Sequence, residues 1–144
     1  MKKKYLLVID SSVAVKWLNQ KNEQYIKQAD KILFDVQNNK ITLIMPELSK
    51  YEIGNAILNK ELNISETATL FDTFYSLPIN FVNQDIESAQ DSLKIAKGNK
   101  ITFYDASFIA LANKIQACLV TDNPKHQMVK KGKTPKIVLL KNYR

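Results

Sequence analysis

The chain's 144 residues suit one compact domain, residues 1–144, and its 45% hydrophobic and 24% charged content excludes a disordered tail protein. A net charge of +7 points to a polyanionic partner, most simply nucleic acid. No apolar run approaches a membrane span, and Met1–Lys4 precedes too short an apolar stretch for a signal peptide, so a cytoplasmic protein is expected.

Tyr5–Ile9 is a short apolar run ending at Asp10, which suits a buried parallel strand. Ser11 and Ser12 then open a short helix carrying Val13, Val15, Trp17 and Leu18. Tyr25, Ala29, Ile32, Leu33 and Val36 recur at helical spacing and predict an amphipathic helix over Glu23–Gln37. Ile41–Met45 reads as a second strand, stopped by Pro46, and Glu47–Asn59 as a third helix. Ser65–Tyr75 is a fourth, with Leu70, Phe71, Phe74 and Tyr75 expected inward. A strand at Ile79–Val82, a helix over Asp85–Lys97 ending at Gly98, and a helix over Phe103–Ile115 follow. Strands at Cys118–Thr121 and Lys136–Leu140 complete the pattern. Short apolar strands alternating with helices predict an α/β three-layer sandwich: a central, mainly parallel sheet of about four or five strands, with helices on both faces.

In such a sheet, ligands bind outside the carboxyl ends of the strands. Two strand runs end in an acid there, at Asp10 and Asp122. Glu52 lies on the same helical face as Leu48 and Ala56, and an ionised carboxylate on an apolar stripe needs a partner. Either something cationic meets it, such as Lys16, or it is protonated, or it reaches solvent at the helix edge. Asp105 shares a face with Phe108, Ile109 and Ala112, and Thr102 with Asp105 also forms a T-x-x-D capping pattern. Asp10 also reads as a plain helix cap, and Asp122 with Asn123 as a turn leading into Pro124. Four acids from four segments, converging at one sheet edge, would repel one another without divalent cations. An oxygen-only set selects one or two Mg2+ or Mn2+ ions. The lone Cys118, read as a buried strand residue, excludes a cysteine zinc site. The three glycines exclude a glycine-rich phosphate loop.

These segments resemble a PIN domain, and among PIN domains the small toxins of the VapC type. The likeness rests on Val8-Ile9-Asp10-Ser11-Ser12, on Pro46-Glu47-Leu48 leading to Glu52 and Asn55-Ala56-Ile57, on Thr102-Phe103-Tyr104-Asp105 running to Ala112, and on Leu119-Val120-Thr121-Asp122. The resemblance implies Asp10, Glu52 and Asp105 as catalytic metal ligands. The family's fourth position, two places after the strand-ending threonine, falls on Asn123, and Asp122 stands one place before it; either could line the pocket, and Asp122 is the expected ligand, directly or through water, with Asn123 as neighbour. Support is expected from Ser11, Thr102 and Thr121. The resemblance also implies a metal-dependent ribonuclease, a homodimer and a cognate antitoxin. A housekeeping RNA-processing nuclease and an inactive nucleic-acid-binding module are the alternatives. A haloacid-dehalogenase-type phosphatase would need an acid where Ser12 stands.

All basic side chains but Arg144 are lysines, which favours holding phosphates over reading bases. Lys125, Lys130, Lys131 and Lys133 crowd the segment after Asp122 and are the expected RNA phosphate contacts, and Lys136 and Lys141 follow. His126 reads as a surface residue or phosphate contact in preference to a catalyst. Trp17 and Tyr104 read as core packing in preference to base stacking.

Overall fold

A computed structural model describes residues 3–130, 132 and 134–144. Among them five strands form one sheet: β1 (Tyr5–Ile9), β2 (Ile41–Pro46), β3 (Ile79–Val82), β4 (Cys118–Thr121) and β5 (Ile137–Leu139). Their order is β3-β2-β1-β4-β5, and every neighbouring pair is parallel. Leu7 of β1 lies opposite Leu43 of β2 and Cys118 of β4. As the central strand, β1 is covered on both faces, which is why Leu7, Val8 and Ile9 are all buried with no alternation.

Six helices connect the strands: α1 (Ser11–Leu18), α2 (Ile26–Gln37), α3 (Ser49–Leu58), α4 (Ile64–Ser76), α5 (Ile86–Asn99) and α6 (Phe103–Lys114). The chain steps outward from β1 to β2 to β3, then returns to β4 on the other side of β1. Right-handed crossovers in the two directions set α1–α4 on one face and α5–α6 on the other. The order therefore reverses between β1 and β4, and the crevice at their carboxyl ends is the place where such folds bind ligands.

Helix α6 packs across β1, β2 and β4, and every residue from Ala106 to Ala112 is buried. Its alanines let it lie close to the sheet, and its one polar residue in that run, Ser107, donates its hydroxyl to the Phe103 carbonyl at 2.8 Å. It leads into the amino end of β4, so its own N-terminus sits at the carboxyl edge of the sheet. Helices α1 and α3, which leave β1 and β2, start at that same edge.

Several boundaries differ from the sequence reading. α2 starts at Ile26, not Glu23, because Tyr25 takes a left-handed backbone (φ 58°). α3 starts at Ser49, not Glu47, which puts Glu52 in its first turn. Asn63 and Glu66 form a reciprocal capping box that starts α4 at Ile64. Phe74 is fully buried and meets Phe81 edge-on at 5.6 Å, whereas Tyr75, expected inward, is exposed. Tyr104, expected in the core, is also exposed. At the C-terminal end the Tyr143 hydroxyl donates to Asp35 Oδ2 at 2.9 Å, and Lys31 and Lys40 pair with the same buried carboxylate. Among the described residues no helix is long and apolar enough to cross a membrane.

Candidate active site

A cleft of about 200 Å³ opens at the switch between β1 and β4, lined by Asp10, Glu52, Asp105, Asn123 and His126, with Ser11, Ser12 and Phe108. Each of the three acids stands at the start of a helix. Asp10 caps α1, Glu52 is in the first turn of α3 and Asp105 in the first turn of α6. Three helix N-termini, each carrying partial positive charge, thus meet where the carboxylates gather.

Asp10 is buried, and both of its oxygens are held. Oδ1 accepts from the Ser12 amide at 3.1 Å and from the Ser12 hydroxyl, and Oδ2 accepts from the Thr121 hydroxyl. These hydroxyls are oriented in turn, since Ser12 Oγ accepts from the Asp122 amide at 3.0 Å and Thr121 Oγ1 from the Asn123 amide at 2.9 Å. Glu52 Oε1 accepts from Ser11 Oγ at 3.0 Å. Burial, and then the negative charge of Asp105 and Asp10, push the Glu52 carboxyl above its ordinary range against the Ser11 bond. The Asp105 amide donates to the Thr102 hydroxyl at 3.0 Å, so the capping role read from the sequence coexists with a place in the cleft.

His126 was missed as a site residue. It is not on the surface but 2% exposed, on a single 3-10 turn (Pro124–Met128). Nδ1 lies 3.0 Å from Asp10 Oδ2 and Nε2 lies 3.2 Å from Asp105 Oδ1. Burial alone would lower the imidazole pKa, but the two carboxylates outweigh it and raise it to about 9. The ring is therefore an imidazolium at neutral pH, and its charge, after the cost of burial, holds the Asp105 carboxyl below its usual range. A lone histidine in a basic segment carries no sequence signal for this.

Asp122, expected as a fourth ligand, lies elsewhere. Its carboxylate does not line the cleft but pairs with Lys16 Nζ at 2.9 Å, and Glu23 pairs with the same ammonium at 2.8 Å. Lys16 is 1% exposed. Burial would depress its pKa, but the bonds to Glu23 and Asp122 reverse this and raise it. Lys16 is thus the partner of Asp122 and not of Glu52, and Asn123 takes the fourth place in the cleft. Lys125 and Lys130 are exposed beyond it, while Lys131 and Lys133 lie outside the described residues.

Residues 7–132 match the PIN domain family. The chain belongs to that family. No curated protein matches this PIN domain significantly in sequence. Among solved structures, VapBC2 from Rickettsia felis, bound to a DNA fragment from its promoter, superposes with a TM-score of 0.72 at 14% identity, covering 93% of this chain and 98% of that one. DNA-bound VapBC from Salmonella typhimurium gives 0.69 at 11% identity, covering 94% and 98%. VapC20 from Mycobacterium tuberculosis, a toxin that cleaves the sarcin-ricin loop, gives 0.63 at 11% identity, covering 90% and 99%. At these identities the likeness is one of fold.

The PIN domain's cleft fits a hard divalent cation by its donor chemistry. Three carboxylates and the Asn123 amide offer the oxygen donors that such a cation takes. Among the described residues no three acid, histidine or cysteine side chains are already closed around one point. Asp10 and Asp105 are instead turned to the His126 ring.

Proposed function

We propose that this PIN domain, spanning residues 1–144, is a Mg2+- or Mn2+-dependent endoribonuclease acting on single-stranded or looped RNA, and the toxin of a toxin–antitoxin pair. The observation that carries the nuclease reading is the convergence of Asp10, Glu52 and Asp105, from three separate helix starts, on one cleft of a chain of net charge +7. The fold shared with the VapBC proteins and VapC20 supports the toxin reading. A cognate antitoxin, a homodimer and a cytoplasmic location belong to the same proposal.

Asp10, Glu52 and Asp105 would hold one or two ions, with Asn123 beside them. A divalent cation bound there supplies Lewis acidity toward phosphate oxygens and toward the attacking water. The chain itself orients the carboxylates: Ser12 and Thr121 hold Asp10, and Ser11 holds Glu52. Water adds to phosphorus and the 3′ oxygen leaves, taking up a proton, so the products carry a 5′ phosphate and a 3′ hydroxyl. The 2′ hydroxyl takes no part in that chemistry, and the preference for RNA comes from groove shape. Exposed Lys125 and Lys130, with Lys131 and Lys133 as further candidates, draw the strand toward an acidic cleft that would otherwise repel it.

The test is cleavage of a transfer-RNA pool with Mg2+ or Mn2+, against a chelator control and Asp105→Asn. Cuts with 5′ phosphate ends that need metal and vanish in the variant are expected. RNA binding without cleavage under every metal would make the domain an inactive binding module. Cleavage without growth arrest on expression would make it a processing nuclease and not a toxin.

A further inference from the structure

A buried cation, Lys16, stands near the cleft without lining it. Its Nζ lies between Glu23 Oε2 at 2.8 Å and Asp122 Oδ2 at 2.9 Å. It is among the largest fully buried side chains of the molecule. A lysine taken out of water is costly unless paired, so it stays only because both carboxylates meet it. The pairing ties α1, the α1–α2 connection and the turn after β4 together at one point.

That turn is what orients Asp10. The Asp122 amide donates to Ser12 Oγ at 3.0 Å, and Ser12 Oγ donates to Asp10 Oδ1. The next amide, of Asn123, donates to Thr121 Oγ1 at 2.9 Å, and Thr121 Oγ1 donates to Asp10 Oδ2. Filling each hydroxyl's acceptor side from the turn leaves its proton to face the carboxylate. Both oxygens of Asp10 are therefore aimed by consecutive amides of one turn, and Lys16 pins the side chain of that turn.

We propose that Lys16 is a positioning residue for the nuclease centre: by clamping Asp122 it fixes the 121–123 turn and, through Ser12 and Thr121, the geometry of Asp10. Asp122 is then an anchor and not a ligand. The inference rests on the metal-site reading above for its consequence, but the clamp itself exists without metal.

Two measurements on the whole chain separate these levels. Calorimetric titration with Mn2+ is expected to show about 10–100-fold weaker binding in Lys16→Met and in Asp122→Ala, the range seen when outer-shell partners are lost. Asp122→Asn keeps an oxygen for Lys16 and is expected to recover most of that loss. The double variant K16M/D122A is expected to bind no worse than the weaker single variant, because both break one device. Amide hydrogen exchange is expected to show faster exchange at the Asp122 and Asn123 amides in Lys16→Met and Asp122→Ala, with or without Mn2+. If Asp122→Asn and Asp122→Ala lose Mn2+ equally, Asp122 is a ligand and the proposal fails. Unchanged Mn2+ affinity and unchanged exchange in Lys16→Met would make the lysine merely structural, and a global rise in exchange with affinity intact would do the same. If Lys16→Met does not fold, the Asp122 pair decides the matter, since that residue is partly exposed. Wild-type protein that binds no Mn2+ would overturn the metal reading, and the exchange data would then judge the clamp alone.

Discussion

Ser11 Oγ donates to Glu52 Oε1 at 3.0 Å, joining the first turn of α1 to the first turn of α3 across the cleft. This bond lowers the pKa of a carboxyl that burial, Asp105 and Asp10 all raise. In Ser11→Ala the raising influences act unopposed, so Glu52 holds its proton to higher pH. Mn2+ affinity is expected to fall about tenfold, as for other outer-shell losses. Calorimetry measures the affinity, and NMR of the labelled Glu52 carboxyl measures its titration. A Glu52 titration unchanged in the variant would refute the bond's role.

Thr121 is fully buried, donates to Asp10 and accepts from the Asn123 amide. Thr121→Val keeps the shape and removes both bonds, leaving the Asn123 amide without its acceptor and Asp10 Oδ2 with the His126 ring alone. A loss of about 1–3 kcal/mol is expected, the desolvation cost of groups left unsatisfied. Urea unfolding checks this, with an unchanged m-value required for a simple stability effect.

His126 carries the positive charge that lies between Asp10 and Asp105. His126→Gln removes the charge while keeping a polar side chain. The variant is expected to melt at lower temperature than wild type in chelator and to gain more from added Mn2+, because a cation that binds only the folded form stabilises it by mass action. Equal Mn2+ shifts in the two proteins would argue against charge balance by the ring.

Asp35 gives an acid-stability test far from the cleft. Burial would raise its pKa, but bonds from Lys31, Tyr143 and Lys40 outweigh this and lower it. A carboxyl depressed in the folded state contributes stability above its unfolded pKa and loses it as the pH falls through the folded one. Asp35→Asn is therefore expected to melt below wild type at pH 7, with the gap closing as the pH drops below about 4, near the unfolded aspartate value. Thermal melts across pH 3–7 (roughly the range that brackets that value) decide it, and a pH-independent gap would refute the linkage.

Much of this molecule was legible in its residues. The continuous apolar runs of β1 and β4 announced buried parallel strands, because a strand covered on both faces cannot alternate. Asp10 at the end of β1, and Glu52 and Asp105 on helix faces that otherwise point inward, were conspicuous because an acid on an apolar stripe needs a reason. Only the tertiary structure decided how the other charges were shared. Whether Lys16 answers Glu52 or Asp122, whether His126 is outside or wedged between two acids, and whether Asp122 or Asn123 faces the cleft all depend on contacts such as Thr121 to Asp10, 111 residues apart. Local periodicity sets which face a side chain takes on its own element. Pairing between charges is settled by the topology that brings β4 back beside β1, and by the burial that makes an unpaired charge too costly to leave.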